Sequence, residues 1–148
     1  VGVLINGDGN DNAAASIIAA EAGTLAYTDL LKLYNQLDPY TLNRLVMSPA
    51  TMLKMMNLEE FKNPLTGINF QGTGSTGTPL GAKLLRSSAV ADDTIIGLDA
   101  GCALEMVVAS DVAVDYDKLI DRQLERAVIT TTAGFAKIFA DSSAVLKI

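Results

Sequence analysis

The sequence predicts an α+β domain, and three observations point there. Segments with helical and strand-like apolar spacing follow one another without βαβ alternation, they lack the even spacing of an all-β chain, and an uncharged, glycine-studded tongue from Asn63 to Pro79 interrupts them. With 148 residues, 49% of them hydrophobic, the chain is long and apolar enough for one domain with a substantial core.

Val1-Gly2-Val3-Leu4-Ile5 is short, apolar and partly β-branched, so it reads as a strand or the tail of a preceding element. Asn6-Gly7-Asp8-Gly9-Asn10 stops it, because these residues tolerate positive φ and make turns. Ala13 to Ala22 combines high helix propensity with little periodicity, and a loosely ordered helix is expected there. Tyr27 to Leu37 is the clearest helix: Tyr27, Leu30, Leu31, Tyr34 and Leu37 form one apolar stripe. Thr28 or a neighbour is expected to cap its free amides, Asp29 suits the positive end of the dipole, and Pro39 pushes Asp38 out of helical geometry.

Arg44-Leu45-Val46-Met47 reads as a buried strand, and Ser48-Pro49 opens the next helix as N-cap and first helical residue. Met52, Leu53, Met55, Met56 and Leu58 line its apolar side, where helical spacing favours core packing over an adaptable binding surface. The tongue carries Gly67, Gly72, Gly74 and Gly77, with only Leu65, Ile68 and Phe70 apolar, so it cannot bury itself and is expected to project. Ala82 to Val90, Thr94 to Leu98 and Cys102 to Ala109 read as strands, separated by turns at Asp92-Asp93 and Asp99-Ala100-Gly101. Val112 and Val114 alternate with acids. A short helical or turn segment is expected around Tyr116 to Arg122, then β-rich runs at Ala127 to Thr132, Phe135 to Phe139 and Val145 to Ile148.

Composition narrows function. A formal net charge of −6 argues against binding nucleic acid by bulk electrostatics, because the 11 basic residues are scattered rather than clustered. Lys118, Arg122 and Arg126 stand at helical spacing among Asp117, Asp121 and Glu125, which reads as a solvated or inter-chain ion-pair face. Cys102 is the single cysteine, so the chain forms no internal disulfide, and its apolar setting marks it as a small core residue. No apolar run approaches the roughly 20 residues of a membrane span. A charged fraction of 19% and positive mean hydropathy suggest more contacting surface than a self-sufficient monomer needs. The start at Val1, without methionine, reads as the beginning of a piece of a longer polypeptide.

Catalytic chemistry finds little support. There is no histidine, which removes the commonest general base and metal ligand near neutral pH. Asp8, Asn10 and Asn12 have the spacing that begins a calcium loop, but Ala13 stands where the turn needs glycine and Ala19 where a bidentate glutamate belongs. Gly72 and Gly77 have the spacing of a phosphate loop, but Thr78 replaces its lysine and Pro79 interrupts the following helix. Glu59-Glu60 and Asp92-Asp93 flank turns as solvated residues, and a cation site at Asp115, Asp117 and Asp121 is the weaker reading beside the same plain one. No catalytic, cofactor-binding or metal-ligating residue is assigned.

Taken in order, the segments resemble the major capsid proteins of tailed phages, with the Hong Kong 97-like fold. The resemblance rests on Leu4-Ile5-Asn6-Gly7-Asp8-Gly9, the Asp29 to Tyr34 helix, and Leu45-Val46-Met47-Ser48-Pro49-Ala50-Thr51 with its Leu/Met helix. It continues through Thr78-Pro79-Leu80-Gly81-Ala82-Lys83-Leu84-Leu85 and the tail, Leu119 to Arg126 and Ala133 to Phe139. It implies residues 1–22 as the end of a peripheral-domain segment, 23–110 as an axial domain with the loop 63–79, and 111–148 as closing strands, partly peripheral. The family's N-terminal arm, extended loop and spine helix would lie upstream of the Gly7-Asp8-Gly9 turn.

The implied function is structural: a coat protein with no enzymatic activity and no cofactor, forming hexamers and pentamers with copies of itself in a virion assembled in the bacterial cytoplasm. It would bind no specific nucleic acid and no membrane. Gly67, Asn69, Phe70, Gly72, Gly74 and Gly77 become the candidate interface loop, and Asp117, Asp121, Arg122, Glu125 and Arg126 the candidate inter-subunit ion pairs. An encapsulin-like nanocompartment shell is the alternative on the same fold, and a small cation- or nucleotide-binding enzyme the alternative from another class.

Overall fold

A computed structural model describes residues 1–62, 76–119 and 124–148. It divides into two compact units, Val1–Leu104 with Lys137–Ile148, and Glu105–Ala136. The first unit is built on a six-stranded mixed sheet of β1 (Ala15–Ile18), β2 (Arg44–Met47), β3 (Thr76–Gly77), β4 (Lys83–Arg86), β5 (Thr94–Leu98) and β8 (Ser143–Lys147), in the order β1-β8-β5-β2-β4-β3. β1 with β8 and β2 with β4 are parallel, whereas β8 with β5, β5 with β2, and β4 with β3 are antiparallel.

β5 and β8 are neighbouring interior strands of the sheet, and their apolar runs follow from burial on both faces. Alternate residues divide between two cores. Leu45, Met47, Ile95, Ala144 and Leu146 face one cluster together with α2 (Tyr27–Gln36), α3 (Pro49–Met56) and α4 (Glu59–Lys62). Ile96, Leu98 and Val145 face the other with Leu4, Val90 and Ala103. Gly97 lies opposite Leu33 and Leu42: a Cβ there would stand 3.0 Å from Leu42 Cδ1 and 3.1 Å from Leu33 Cδ2, so the absent side chain makes room for the helix.

The helix expected over Tyr27 to Leu37 is present, but its buried line differs from the apolar stripe. Leu30, Leu33 and Leu37 are fully buried, while Leu31 and Tyr34 are 42% and 51% exposed. The sheet captures the face that also carries Asp29, which a pure hydrophobicity count places outside. The expected side-chain cap is absent: Ala26 precedes the helix and offers no side-chain bond. On α3 the cap is as read, with Ser48 Oγ accepting from the Thr51 amide at 3.3 Å and Pro49 at the first turn. Met55 and Thr51 are buried, Met52 and Leu58 pack at the margin, and Leu53 is exposed rather than part of the core.

Near the start, one alternative and one expectation are corrected. Gly2–Asn6 is a short helix, α1, which removes the strand and leaves the other reading of that run, the tail of a preceding element; Leu4 packs it onto the second core and its carbonyl accepts from Ser143 Oγ at 3.2 Å. Ala13 to Ala22 holds the strand β1 rather than a helix, because pairing with β8 supplies backbone partners that outweigh local propensity. Farther on, the strand expected from Ala82 is confined to β4, Lys83–Arg86. Cys102 is only partly buried, and the small core residue beside it is Ala103.

The second unit belongs to a two-stranded ribbon formed by β6 (Leu104–Leu119) and β7 (Leu124–Lys137). Contacts between Lys118 and Glu125 and between Thr131 and Ser110 show that the strands run antiparallel. The helical or turn segment expected from Tyr116 is therefore strand as far as Leu119; residues 120–123 lie outside the description. Successive β-compatible residues favour the strand, and the helical charge spacing does not survive it.

Candidate functional site

Of the expected interface loop, Gly67, Asn69, Phe70, Gly72 and Gly74 lie outside the described residues, as does the first glycine of the weighed phosphate loop. Its returning end is described. Gly77 sits in β3 and pairs with Lys83, at the edge of the six-stranded sheet. A turn then fastens it: the Gly81 amide donates to the Thr78 carbonyl at 2.9 Å, and the Ala82 amide to Thr78 Oγ1 at 3.2 Å. Gly81 takes φ +79°, a conformation glycine adopts without penalty.

The expected ion-pair residues divide similarly. Asp121 and Arg122 lie outside the description, while Asp117, Glu125 and Arg126 are on the ribbon. Lys118 Nζ is 3.3 Å from Glu125 Oε1, with both side chains mostly exposed, a pair worth little to stability. Asp117 and Arg126 make no ion pair among the described residues.

What the residue-by-residue reading missed is the face of β6. In a strand, alternate side chains share a side. Leu104, Met106, Val108, Ser110, Val112, Val114, Tyr116 and Lys118 therefore fall on one face, and Glu105, Val107, Ala109, Asp111, Ala113, Asp115 and Asp117 on the other. The apolar face is open: Met106 is 58% exposed, Val112 61% and Tyr116 83%. Ile129 and Phe135 of β7 are exposed too. The alternation at Val112 and Val114 was the visible signal; it continues to Tyr116 and is broken earlier in the strand by Val107, Ala109 and Ser110.

The remaining polar groups of note are structural. Asp8, Asn10 and Asn12, weighed as calcium ligands, turn their oxygens on the backbone and on one another. Asn12 Oδ1 accepts from the Asp8 amide at 2.9 Å, Asp8 Oδ1 accepts from Asn10 Nδ2 at 2.9 Å, and Asp8 Oδ2 accepts from the Lys137 amide at 3.3 Å. Asp92 accepts from Ser48 Oγ at 2.6 Å at the start of α3, and Asp93 pairs with Lys54 in its last turn, so this acidic pair ties both ends of the helix to the turn before β5. Asp29 is buried with Lys32 Nζ at 2.9 Å. Among the described residues no group of acids and cysteine is arranged to hold a metal ion, and no helix is long and apolar enough to cross a membrane.

No protein-family model and no curated protein sequence matches the chain. Solved structures do. The holo-SrpI encapsulin complex from Synechococcus elongatus matches with a TM-score of 0.68 and 15% identity, over 89% of this chain and 52% of that one. The capsid of an empty GTA particle matches with a TM-score of 0.67 and 17% identity, over 99% and 60%. A virus-like particle from Pyrococcus furiosus gives a TM-score of 0.60 and 13% identity, over 90% and 54%. These neighbours are shells, and likeness at such identities establishes the fold: an α+β architecture of the Hong Kong 97-like capsid type. The chain spans little more than half the length of the neighbours it matches, between 52% and 60%.

Proposed function

We propose that this chain is the greater part of a structural shell protein, the major capsid protein of a tailed phage or prophage, which assembles with copies of itself into the capsomers of an icosahedral head. The carrying observation is the ribbon. A two-stranded sheet is marginal alone in water, and this one leaves Met106, Val108, Val112, Val114 and Tyr116 open on one face. Exposed apolar surface of this kind marks an interaction site. A 16-residue strand is about 50 Å long at ~3.3 Å per residue. At a width of ~10 Å for two strands, one face offers ~500 Å², so two copies bury ~1,000 Å², the size at which a specific interface begins.

On this reading residues 23–110 are axial and residues 111–148 closing strands, partly peripheral, with the tongue and the charged residues of the ribbon as further contacts between copies. The protein acts by packing and not by catalysis, and its place is the virion. Light scattering and negative-stain microscopy of the full-length protein test this. Shells or capsomers are expected, and a strictly monomeric full-length protein at high concentration rejects the reading.

A nanocompartment shell is the second reading, because the encapsulin and the GTA capsid match almost equally, at TM-scores of 0.68 and 0.67. The contents of purified particles separate the two. Packaged DNA supports the capsid, and a co-purifying enzyme supports the compartment.

A further inference from the structure

We propose that the turn from Gly7 to Asn12 is an acid-operated clamp on the root of the ribbon: it grips residue 137 while Asp8 is ionised and releases it when Asp8 is protonated. The inference stands whether the protein forms a capsid, a compartment or neither.

Residue 137 ends β7 and is the first residue of the larger unit after the ribbon. Both of its backbone polar groups are held by the one turn. Asp8 Oδ2 accepts from the Lys137 amide at 3.3 Å, and Asn12 Nδ2 donates to the Lys137 carbonyl at 3.4 Å. The jaws are set beforehand, since Asn12 Oδ1 takes the Asp8 amide and Asp8 Oδ1 takes Asn10. Gly7, at φ +75°, lets the turn close: a Cβ there would collide with Asn12 Oδ1.

The charges around Asp8 make the clamp sensitive to acid. The Lys137 side chain is buried, and its Nζ has no hydrogen-bond partner. Burial lowers its pKa, while the charges of Asp141 and Asp8 work to keep it ionised. Helix α1 contributes no ionisable side chain, and Asp11 is exposed on the turn itself. Partial burial would raise the Asp8 pKa, but donors led by the Lys137 amide outweigh it and hold the carboxyl below its ordinary value. Protonating Asp8 therefore does two things: it weakens the hydrogen bond to residue 137 and removes one of two negative charges near a buried ammonium. The released state binds the proton more tightly, so falling pH drives opening.

Hydrogen exchange resolved to single amides tests the clamp, with protection factors corrected for the pH dependence of intrinsic exchange. In the unaltered chain the Lys137 amide should lose about tenfold protection as Asp8 is protonated, the scale of one charge-assisted hydrogen bond. The amide of Leu146, in the buried strand β8, reports the acid loss of the larger unit as a whole and should lose less protection than Lys137. Asp8→Asn should abolish the part of the acid loss at Lys137 that exceeds the loss at Leu146, and Asn12→Ala should lower Lys137 protection even at neutral pH. The proposal is overturned if Asp8→Asn loses protection with acid as the unaltered chain does, if Asn12→Ala changes nothing at neutral pH, or if Leu146 loses protection in step with Lys137.

Discussion

Asn43 and Asp99 clasp each other where two strands begin and end: Asn43 Nδ2 donates to Asp99 Oδ1 at 2.8 Å, while Asn43 Oδ1 accepts from the Ala100 amide at 2.8 Å. Asp99 also accepts from the Thr41 amide at 3.2 Å. Arg44 and Leu98, next along each strand, are register partners in the β2–β5 ladder. The pair therefore closes the end of the antiparallel ladder. Asn43→Ala removes a bond to an ionised acceptor and leaves the exposed Ala100 amide to water. A loss of about 2 kcal/mol is expected, read as a lower urea midpoint with an unchanged slope. Asn43→Asp should do more damage at neutral pH by placing a second carboxylate beside Asp99, and the damage should shrink in acid.

Acid should destabilise the larger unit through its carboxylates. The amides of Gly101 and Thr41 hold Asp99 below its ordinary 3.8, against some desolvation and with help from Asn43. At Asp29 burial works upward, but Lys32 and the Ala20 amide outweigh it. A group whose native pKa is depressed contributes stability above its unfolded value, and that contribution is lost as pH falls through the native one. Stability should therefore hold down to about pH 5 and fall steeply below about pH 4. Asp99→Asn should be less stable at neutral pH and show a smaller acid drop. Urea titrations at a series of pH values measure both.

The sequence carried the sheet's centre and α3 plainly, because there local signals and tertiary demands agree. Ser48-Pro49 is both a sequence signature and the observed cap, and Arg44–Met47 and Thr94–Leu98 are the observed strands. It misled where a neighbour decides. Ala15–Ile18 is a strand because β8 lies beside it, 125 or more residues away in the chain, and nothing in AAASII announces that partner. The α2 stripe slipped because Leu33, set opposite Gly97, carries the contact that Leu31 and Tyr34 do not. A lone glycine inside a strand marks close approach, and that signal was available. On the ribbon, charges three and four apart imitated a helix, whereas the apolar–acid alternation through Tyr116 was the truer period.

Gly97 should tolerate no side chain while Leu33 is present. A Cβ at 3.1 Å from Leu33 Cδ2 and 3.0 Å from Leu42 Cδ1 is tighter than ordinary contact, and both leucines are buried. Gly97→Ala is expected to cost about 1–3 kcal/mol by overpacking. Leu33→Ala should cost about 2–5 kcal/mol through its cavity. Combined, they should cost less than their sum, because the new methyl enters the space the leucine leaves. Thermal or urea unfolding of the two single variants and the double variant measures the coupling, and strict additivity contradicts the contact.

The ribbon supplies the sharpest division between folding and assembly. Val112 and Val114 are 61% and 45% exposed in the single chain, so charging them removes almost no buried contact there. Val112→Asp with Val114→Asp should leave the stability of the larger unit within about 0.5 kcal/mol of the unaltered chain, and so its unfolding midpoint nearly unmoved. If copies cover this face, each Asp must give up its water without a partner, at a cost of several kcal/mol per site. Because every copy in a shell carries both charges, particle formation should fail at concentrations where the unaltered protein assembles. Sedimentation and electron microscopy give the particle yield, and calorimetry gives the midpoint. Normal particles from the double variant would place the β6 face outside the contacts between copies, whereas lost particles with an unchanged midpoint would place it within them.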